Sequence, residues 1–177
     1  ANVQAVATWI LNQKKIFFVG TSQSNELAAG TTAAFTVKGT GNKRVSFLWT
    51  PNSHEFAGNA WAGVGLTQEA GSINWAFKTL IGVTGKSLTA SQQGFLEANN
   101  VNHYQTLPGL TGTRKGKVAS GEFLDIVHGT DALEARMKED VYGLLMNLPK
   151  LAYTDVALQA LYGVILSALQ VFEGNNT

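Results

Sequence analysis

The stretch from residue 116 to residue 155 constrains the fold more than any other part of the chain; it reads GKVASGEFLDIVHGTDALEARMKEDVYGLLMNLPKLAYTD. Its pattern predicts a strand over Lys117–Val127, a break at Gly129 and then a long amphipathic helix. Pro149 is predicted to end that helix, and Thr154 to start another. The acidic and basic residues are scattered over the helix surface and do not converge. The stretch therefore predicts a scaffold element without chemistry of its own.

The two predicted helices carry apolar residues at core spacing. Thr130 or Asp131 is expected to cap the first of them. The expected core residues are Leu133, Met137, Val141, Leu144, Leu145 and Leu148 in the first helix, and Leu158, Leu161, Ile165, Leu169 and Phe172 in the second. We therefore expect Ile165→Ala to cost about 2–5 kcal/mol of stability. Lys138→Ala, on the surface, should stay within about ±0.5 kcal/mol.

The rest of the chain also alternates helices and strands. The predicted elements are an amphipathic helix from Val3, a buried strand Ile16–Val19, a strand Arg44–Trp49, a helix from Asn52 or Ser53 to Val64, a half-buried strand Ile73–Leu80, a helix capped by Thr89 and Gln92, and a strand around His103. This order indicates an α/β fold with a mixed β-sheet flanked by amphipathic helices and ending in two consecutive helices. We expect one compact domain over residues 1–177, with a flexible segment 22–42 and a frayed tail 174–177.

Composition limits the classes of partner. Charged residues make up only 14% of the chain, so part of its outside is expected to lie against other proteins. A net charge of +1 gives no field that would attract nucleic acid or an anionic membrane, and no apolar run approaches the ~20 residues of a bilayer span. The basic cluster Arg114, Lys115 and Lys117 is interpreted as a solvated or subunit-facing edge. The absence of cysteine excludes disulfides and thiolate chemistry.

A possible phosphate-binding loop lies at Gly82–Ser87, which ends in Gly-Lys-Ser. A phosphate-binding loop needs a glycine five residues before the Gly85 equivalent, because the backbone amides must curl around the phosphates. Leu80 stands at that position, and the next helix cap falls only at Thr89. The loop is therefore interpreted as a turn without a ligand.

Histidines and aromatic residues offer two further candidate sites. The sequence indicates no metal-binding or acid–base side chains that converge on His54, His103 or His128. Ser120, His128 and Asp131 supply the residue types of a catalytic triad, but nothing in their spacing indicates that they form one. Asp125 would point away from His128 if the two shared a strand. The aromatic residues Trp9, Trp49, Trp61 and Trp75 fall at positions that favour core packing over a carbohydrate platform. No catalytic residue, cofactor-binding residue, metal ligand or cofactor is predicted.

Several segments, taken in order, resemble one protein family. They are the stretch 116–155 quoted above, the segment GSINWAFKTLIGV from Gly71 to Val83, the helix Leu88–Asn99 with the following NVNHY, and the opening Val3–Val19 with Trp9. Their order and spacing resemble the sheath proteins of contractile phage tails, in a branch long catalogued as a domain of unknown function. The resemblance extends over residues 57–171, with the opening helix and strand in addition.

This resemblance implies a structural subunit and no enzyme. Sheath subunits polymerise around the tail tube and contract to drive it through the host envelope. The implied partners are neighbouring sheath subunits, the tail tube protein, the baseplate and the tail terminator, and the implied place is the virion, assembled in the bacterial host cytoplasm. A related contractile injection machine fits equally. Nucleic acid and membrane are not expected as partners.

Two other classes of protein remain open from the residues alone, namely a nucleotide-dependent or hydrolytic α/β enzyme and a receptor- or carbohydrate-binding module.

The chain starts at Ala1 without methionine, and together with the resemblance this predicts a fragment of a longer protein. Family subunits are linked by extended terminal arms. Because neither end here offers such an arm, the chain alone is expected to be a monomer or a low oligomer.

Overall fold

The computed structural model describes residues 2–148 and 150–174. Contacts within the chain group the described residues into two compact units. Unit 1 contains the residues up to Glu69 together with Ile73–Val127, and unit 2 contains Ala70–Ser72 together with the residues from His128 onward. A single domain over 1–177 stays a prediction.

The predicted α/β fold is confirmed. In chain order the elements are α1 Asn2–Ile10, β1 Phe17–Thr21, a 3-10 helix Ser24–Leu27, α2 Ala33–Gly39, β2 Val45–Trp49, a 3-10 helix Ser53–Glu55, α3 Ala57–Gly65, α4 Ala90–Ala98, β3 Val101–Leu107, β4 Leu110–Arg114, α5 Leu124–Asn147 and α6 Asp155–Gly174. The sheet has the order β1-β2-β3-β4. The first three strands are parallel, and β4 is antiparallel to β3.

Strand β2 lies between β1 and β3, and all five of its residues are buried. Its alternate side chains enter two separate cores, because successive residues of a strand point to opposite faces. Val45, Phe47 and Trp49 join the core formed with α1, α2 and α4. Leu48 joins the opposite core, which contains Trp61 of α3. Both faces of the sheet are therefore covered.

Lys117–Val127 is not a strand, and this prediction was wrong. Lys117 makes only an isolated bridge to Phe123, and α5 already begins at Leu124. The loop turns back on itself at Gly121, which has a φ of 95°, and Leu124 N then donates to Gly116 O at 2.9 Å. The apolar residues whose pattern predicted a strand thus belong to a loop and to the first turn of a helix.

The predicted start of α5 was wrong for the same reason. Gly129, Thr130 and Asp131 all lie inside α5, so none of them breaks or caps it. The described part of α5 ends at Asn147. The predicted stop at Pro149 and the residues 175–177 of the predicted frayed tail lie outside the described residues.

The segment Ile73–Leu80 is also not a strand. Ile73, Trp75 and Leu80 are buried as predicted, but Phe77 is 69% exposed and Ala76 is buried in its place. Phe77 adopts a φ of 60°, in the left-handed region, and its N–H donates to Thr113 O of β4 at 2.7 Å. The left-handed residue breaks the alternation that the sequence pattern suggested.

Whether the sequence predicted the remaining helices and strands depended on how local their sequence signals are. The capping box of Thr89 and Gln92 is present at the start of α4. The helix expected from Asn52 is split, because Phe56 with a φ of 47° separates a 3-10 turn from α3. The segment 22–42 contains a 3-10 helix and α2, which is capped by Thr32. These two elements and β4 were missed; the flexibility of 22–42 stays a prediction.

The predicted core of α5 and α6 is only partly correct. Within the described residues of unit 2, Ala168 alone is fully buried. The half-buried members of the predicted set are Leu133, Met137, Val141, Leu144, Leu161 and Phe172, and the exposed members are Leu145, Leu148, Leu158, Ile165 and Leu169. Because Ile165 keeps 38% of its surface exposed, truncating it should cost less than the full value for a buried isoleucine.

Candidate functional site

The loop Gly82–Ser87 is held by a carboxylate. Glu55 Oε2 accepts a hydrogen bond from Thr84 N at 2.8 Å, and Glu55 Oε1 accepts from Thr84 Oγ1 at 2.6 Å and from Asn52 Nδ2 at 2.7 Å. The bonds from the Thr84 backbone, the Thr84 hydroxyl and Asn52 lower the pKa of Glu55 to about 2. A negative group of the chain itself thus occupies both the backbone N–H and the hydroxyl of Thr84, inside the loop.

The residues that follow run along the sheet and not into a helix. Lys86 pairs with Gln105 of β3 in a parallel bridge, and Ser87 Oγ donates to Thr106 O at 3.2 Å. Helix α4 begins only at Ala90. A phosphate-binding loop instead leads directly from its Lys-Ser into a helix N-terminus.

We therefore expect no nucleotide binding at Gly82–Ser87. Millimolar ATP with magnesium should leave the melting temperature unchanged, as measured by differential scanning fluorimetry. The matched control is Lys86→Ala under the same conditions. A thermal shift in the wild type that Lys86→Ala abolishes would contradict this prediction.

The three histidines occupy separate environments. His54 lies in the 3-10 helix before α3, His103 in β3, and His128 in α5. The predicted opposite orientation of Asp125 and His128 does not apply, because both lie on α5 and not on a strand. No group of three or more metal-binding side chains occurs among the residues that the structure describes. Ser120 lies in the loop before α5, where its N–H donates to Asn42 O at 2.9 Å.

His103 is the histidine that sequence reasoning underrated, since it is 1% exposed in the sheet. Burial lowers the pKa of His103 from its ordinary value, and the charge of Glu97 only partly opposes this. The folded state therefore favours the neutral imidazole. When the pH falls below about 6.5, the unfolded chain binds the proton first, and the contribution of His103 to stability decreases.

We expect the free energy of unfolding to decrease between pH 7 and pH 5, and to decrease less in His103→Gln. Burial also raises the pKa of Glu26, so Glu26 acts in the opposite direction as the pH falls. The Glu26 contribution is common to both proteins and cancels in the difference between wild type and variant. Urea unfolding at several pH values measures this difference. Parallel pH profiles of the two proteins would show that His103 does not contribute to the pH dependence.

The basic cluster is paired with its own surroundings. Lys115 Nζ lies 3.1 Å from Glu97 Oε2, and Arg114 lies over the ring of Phe77 at 5.3 Å from its centroid. Lys117 lies similarly over Phe123 at 5.4 Å. These contacts are partly solvent-exposed and weak. They agree with a solvated edge, and a subunit-facing role for the cluster stays a prediction.

Three of the four tryptophans pack inside, as predicted. Trp49, Trp61 and Trp75 are at most 2% exposed, and Trp61 Nε1 donates to Trp75 O at 3.1 Å. Trp9 contradicts the prediction, since 59% of it is exposed on α1. A carbohydrate platform would need several exposed rings side by side, and three of these rings are buried.

Helix α6 exposes several large apolar side chains. By length and composition alone this helix could cross a membrane: its most apolar 18-residue window has a mean hydropathy of 1.5, and 6% of that window is buried. This corrects the expectation that no apolar run approaches a bilayer span. Its exposed apolar residues are Val156, Leu158, Tyr162, Ile165, Leu166, Leu169 and Val171. A helix that is apolar on most sides is normally covered by something.

Comparison with known proteins shows a likeness in fold. No protein-family model matches the sequence, and no curated protein matches it. The structure is similar to a chain in the six-fold symmetrised cryo-EM structure of the anti-feeding prophage (AFP) baseplate, with a TM-score of 0.63 and 15% sequence identity. The match covers 98% of this chain and 50% of that chain. The protein therefore spans about half the length of the chain it matches and shares that half's fold.

Proposed function

We propose that this chain is a structural domain of a contractile-tail assembly, and that it belongs to the sheath that surrounds the tail tube. The observation that carries the proposal is the likeness in fold, over 98% of the chain, to a chain of the AFP baseplate, which is part of a contractile injection system. The resemblance of residues 57–171 to phage sheath proteins supports the same class independently of the coordinates.

The sheath role within this class explains two features of the molecule. Charged residues are sparse, and α6 exposes large apolar side chains that a protein acting alone would cover. Subunits that surround themselves with copies and with other tail proteins bury such surfaces on assembly. The proposed partners are neighbouring subunits, the tail tube, the baseplate and the tail terminator, and the proposed place is the virion or the equivalent injection particle.

Immunogold electron microscopy of particles from producing cells tests this proposal. Antibodies raised against the 177-residue chain should label the tail along its whole length. Labelling confined to one end of the tail would replace the sheath with a baseplate role. Antibodies that label no particle, although they recognise the denatured protein in cell extracts, would overturn the assignment to a tail assembly.

A further inference from the structure

Helix α6 carries two apolar stripes that differ in exposure. The stripe Ala157, Leu161, Val164 and Ala168 is the less exposed of the two. The second stripe begins one residue later and consists of Leu158, Tyr162, Ile165 and Leu169, which are 60%, 66%, 38% and 44% exposed. We call these four residues the outer stripe. Three of its members, Leu158, Ile165 and Leu169, belong to the set that the sequence pattern assigned to the core. The fourth, Tyr162, is the sequence neighbour of Leu161, which belongs to the same set.

The spacing of the outer stripe is that of a helix–helix contact. Its members follow each other at intervals of four, three and four residues, which is the a/d pattern of packed helix pairs. The stripe covers about three turns of the 20-residue helix.

The lack of charged residues on α6 limits the kinds of partner that could cover the outer stripe. Between Val156 and Phe172 the sequence of α6 contains no charged residue. A strongly acidic or basic partner would therefore gain no ion pair along the stripe. Helices that lie on membrane surfaces carry Lys and Arg on their polar side, and α6 has neither. The best match is a second uncharged stripe with the same spacing.

We propose that α6 packs against the α6 of a second copy of this chain, outer stripe against outer stripe and antiparallel. Antiparallel packing places the negative C-terminal end of each helix dipole beside the positive N-terminal end of the other. It also pairs Tyr162 of one copy with Ile165 of the other, since these two positions flank the middle of the stripe. This proposal concerns the free protein and does not rest on the proposed sheath role.

The available area predicts a weak dimer. The exposed fractions of the four outer-stripe side chains add up to about two whole side chains, or roughly 400 Å² of apolar surface per copy. Two copies therefore bury roughly 800 Å² in this contact, which is less than the roughly 1,200 Å² at which stable interfaces begin. We therefore expect a weak dimer with a dissociation constant on the order of 100 µM, so that dilution separates the copies.

Sedimentation velocity of the 177-residue protein over about 1–500 µM tests the proposal with a matched pair of variants. Leu158→Lys/Tyr162→Lys places two charges in the outer stripe and should weaken dimerisation at least tenfold. Val156→Lys/Ser167→Lys places two charges at exposed positions on the opposite side of α6 and should leave it unchanged. Circular dichroism confirms that both variants stay folded. Equal weakening by the two pairs, or a wild-type monomer at all concentrations, overturns the proposal.

The absence of native cysteine allows a second test that does not depend on destabilising the helix. A mixture of Tyr162→Cys and Ile165→Cys should form a mixed disulfide under mild oxidation faster than Ser167→Cys forms a homodimer. Disulfide formation at equal rates overturns the antiparallel pair. Flotation of the wild type, but not of the outer-stripe variant, with phosphatidylcholine vesicles would instead assign the stripe to a lipid surface and also overturn the proposal.

Discussion

Replacing Gly58 by alanine is expected to destabilise unit 1 by about 3 kcal/mol, at the upper end of the range for overpacking. Helix α3 approaches β1 so closely that a Cβ on Gly58 would lie 2.7 Å from Gly20 N and 3.1 Å from the Val19 carbonyl carbon. Both contacts are with backbone, which cannot rotate away as a side chain can. The helix would therefore have to move off the strand.

Gly63→Ala in the same helix is the matched control. A Cβ at Gly63 would meet no atom within 4 Å, and the residue is exposed. Alanine there should stabilise the protein by up to about 1 kcal/mol, because glycine is the poorer helix former. Urea unfolding of both variants measures the difference. A Gly58→Ala protein as stable as the wild type would show that α3 does not lie against β1 as described.

The second large effect is expected for Asn102→Leu, which should cost about 2–3 kcal/mol. Asn102 is fully buried in β3, and its amide joins the sheet to the loop before α5. Its Oδ1 accepts from Lys117 N at 2.7 Å, and its Nδ2 donates to Lys117 O at 2.7 Å and to Phe47 O at 2.9 Å. Leucine would leave the Lys117 N–H without this acceptor.

Asn59→Leu, at an exposed position of α3, is the control for Asn102→Leu and should change stability by no more than about 0.5 kcal/mol. The midpoints and slopes of denaturant unfolding measure the stability of the two variants. If the two substitutions cost the same, the Asn102 network contributes nothing beyond the general effect of placing leucine in the chain.

The sequence predicted those elements whose signals are local. The capping box at Thr89 was predictable because all of its hydrogen bonds lie within four residues. The start of α5 was not, because the alternation of apolar residues in 117–127 reflects burial from a loop that is turned by Gly116 and Gly121. Phe77 escaped prediction similarly, since its left-handed conformation is fixed by hydrogen bonds to the distant strand β4.

The functional surface was harder to predict than the fold. Apolar periodicity shows that one side of α6 is covered, but it does not distinguish a chain's own core from a partner. Leu158, Ile165 and Leu169 were therefore assigned to the core and are exposed in the structure. The role of Glu55 was also missed, because its contact with Thr84 joins residues 29 positions apart. The missing glycine at Leu80 argues against a phosphate-binding geometry, and the absence of nucleotide binding at this loop stays a prediction.

We have proposed that this protein acts by assembling with copies of itself around a tail tube. Negative-stain electron microscopy of the natural full-length gene product, expressed by itself and together with the tail tube protein from the same genome, tests it most directly. We expect hollow tubes or stacked rings whose inner diameter matches the tail tube. A full-length product that stays dispersed at high concentration and forms no tube with its tail tube partner would contradict it.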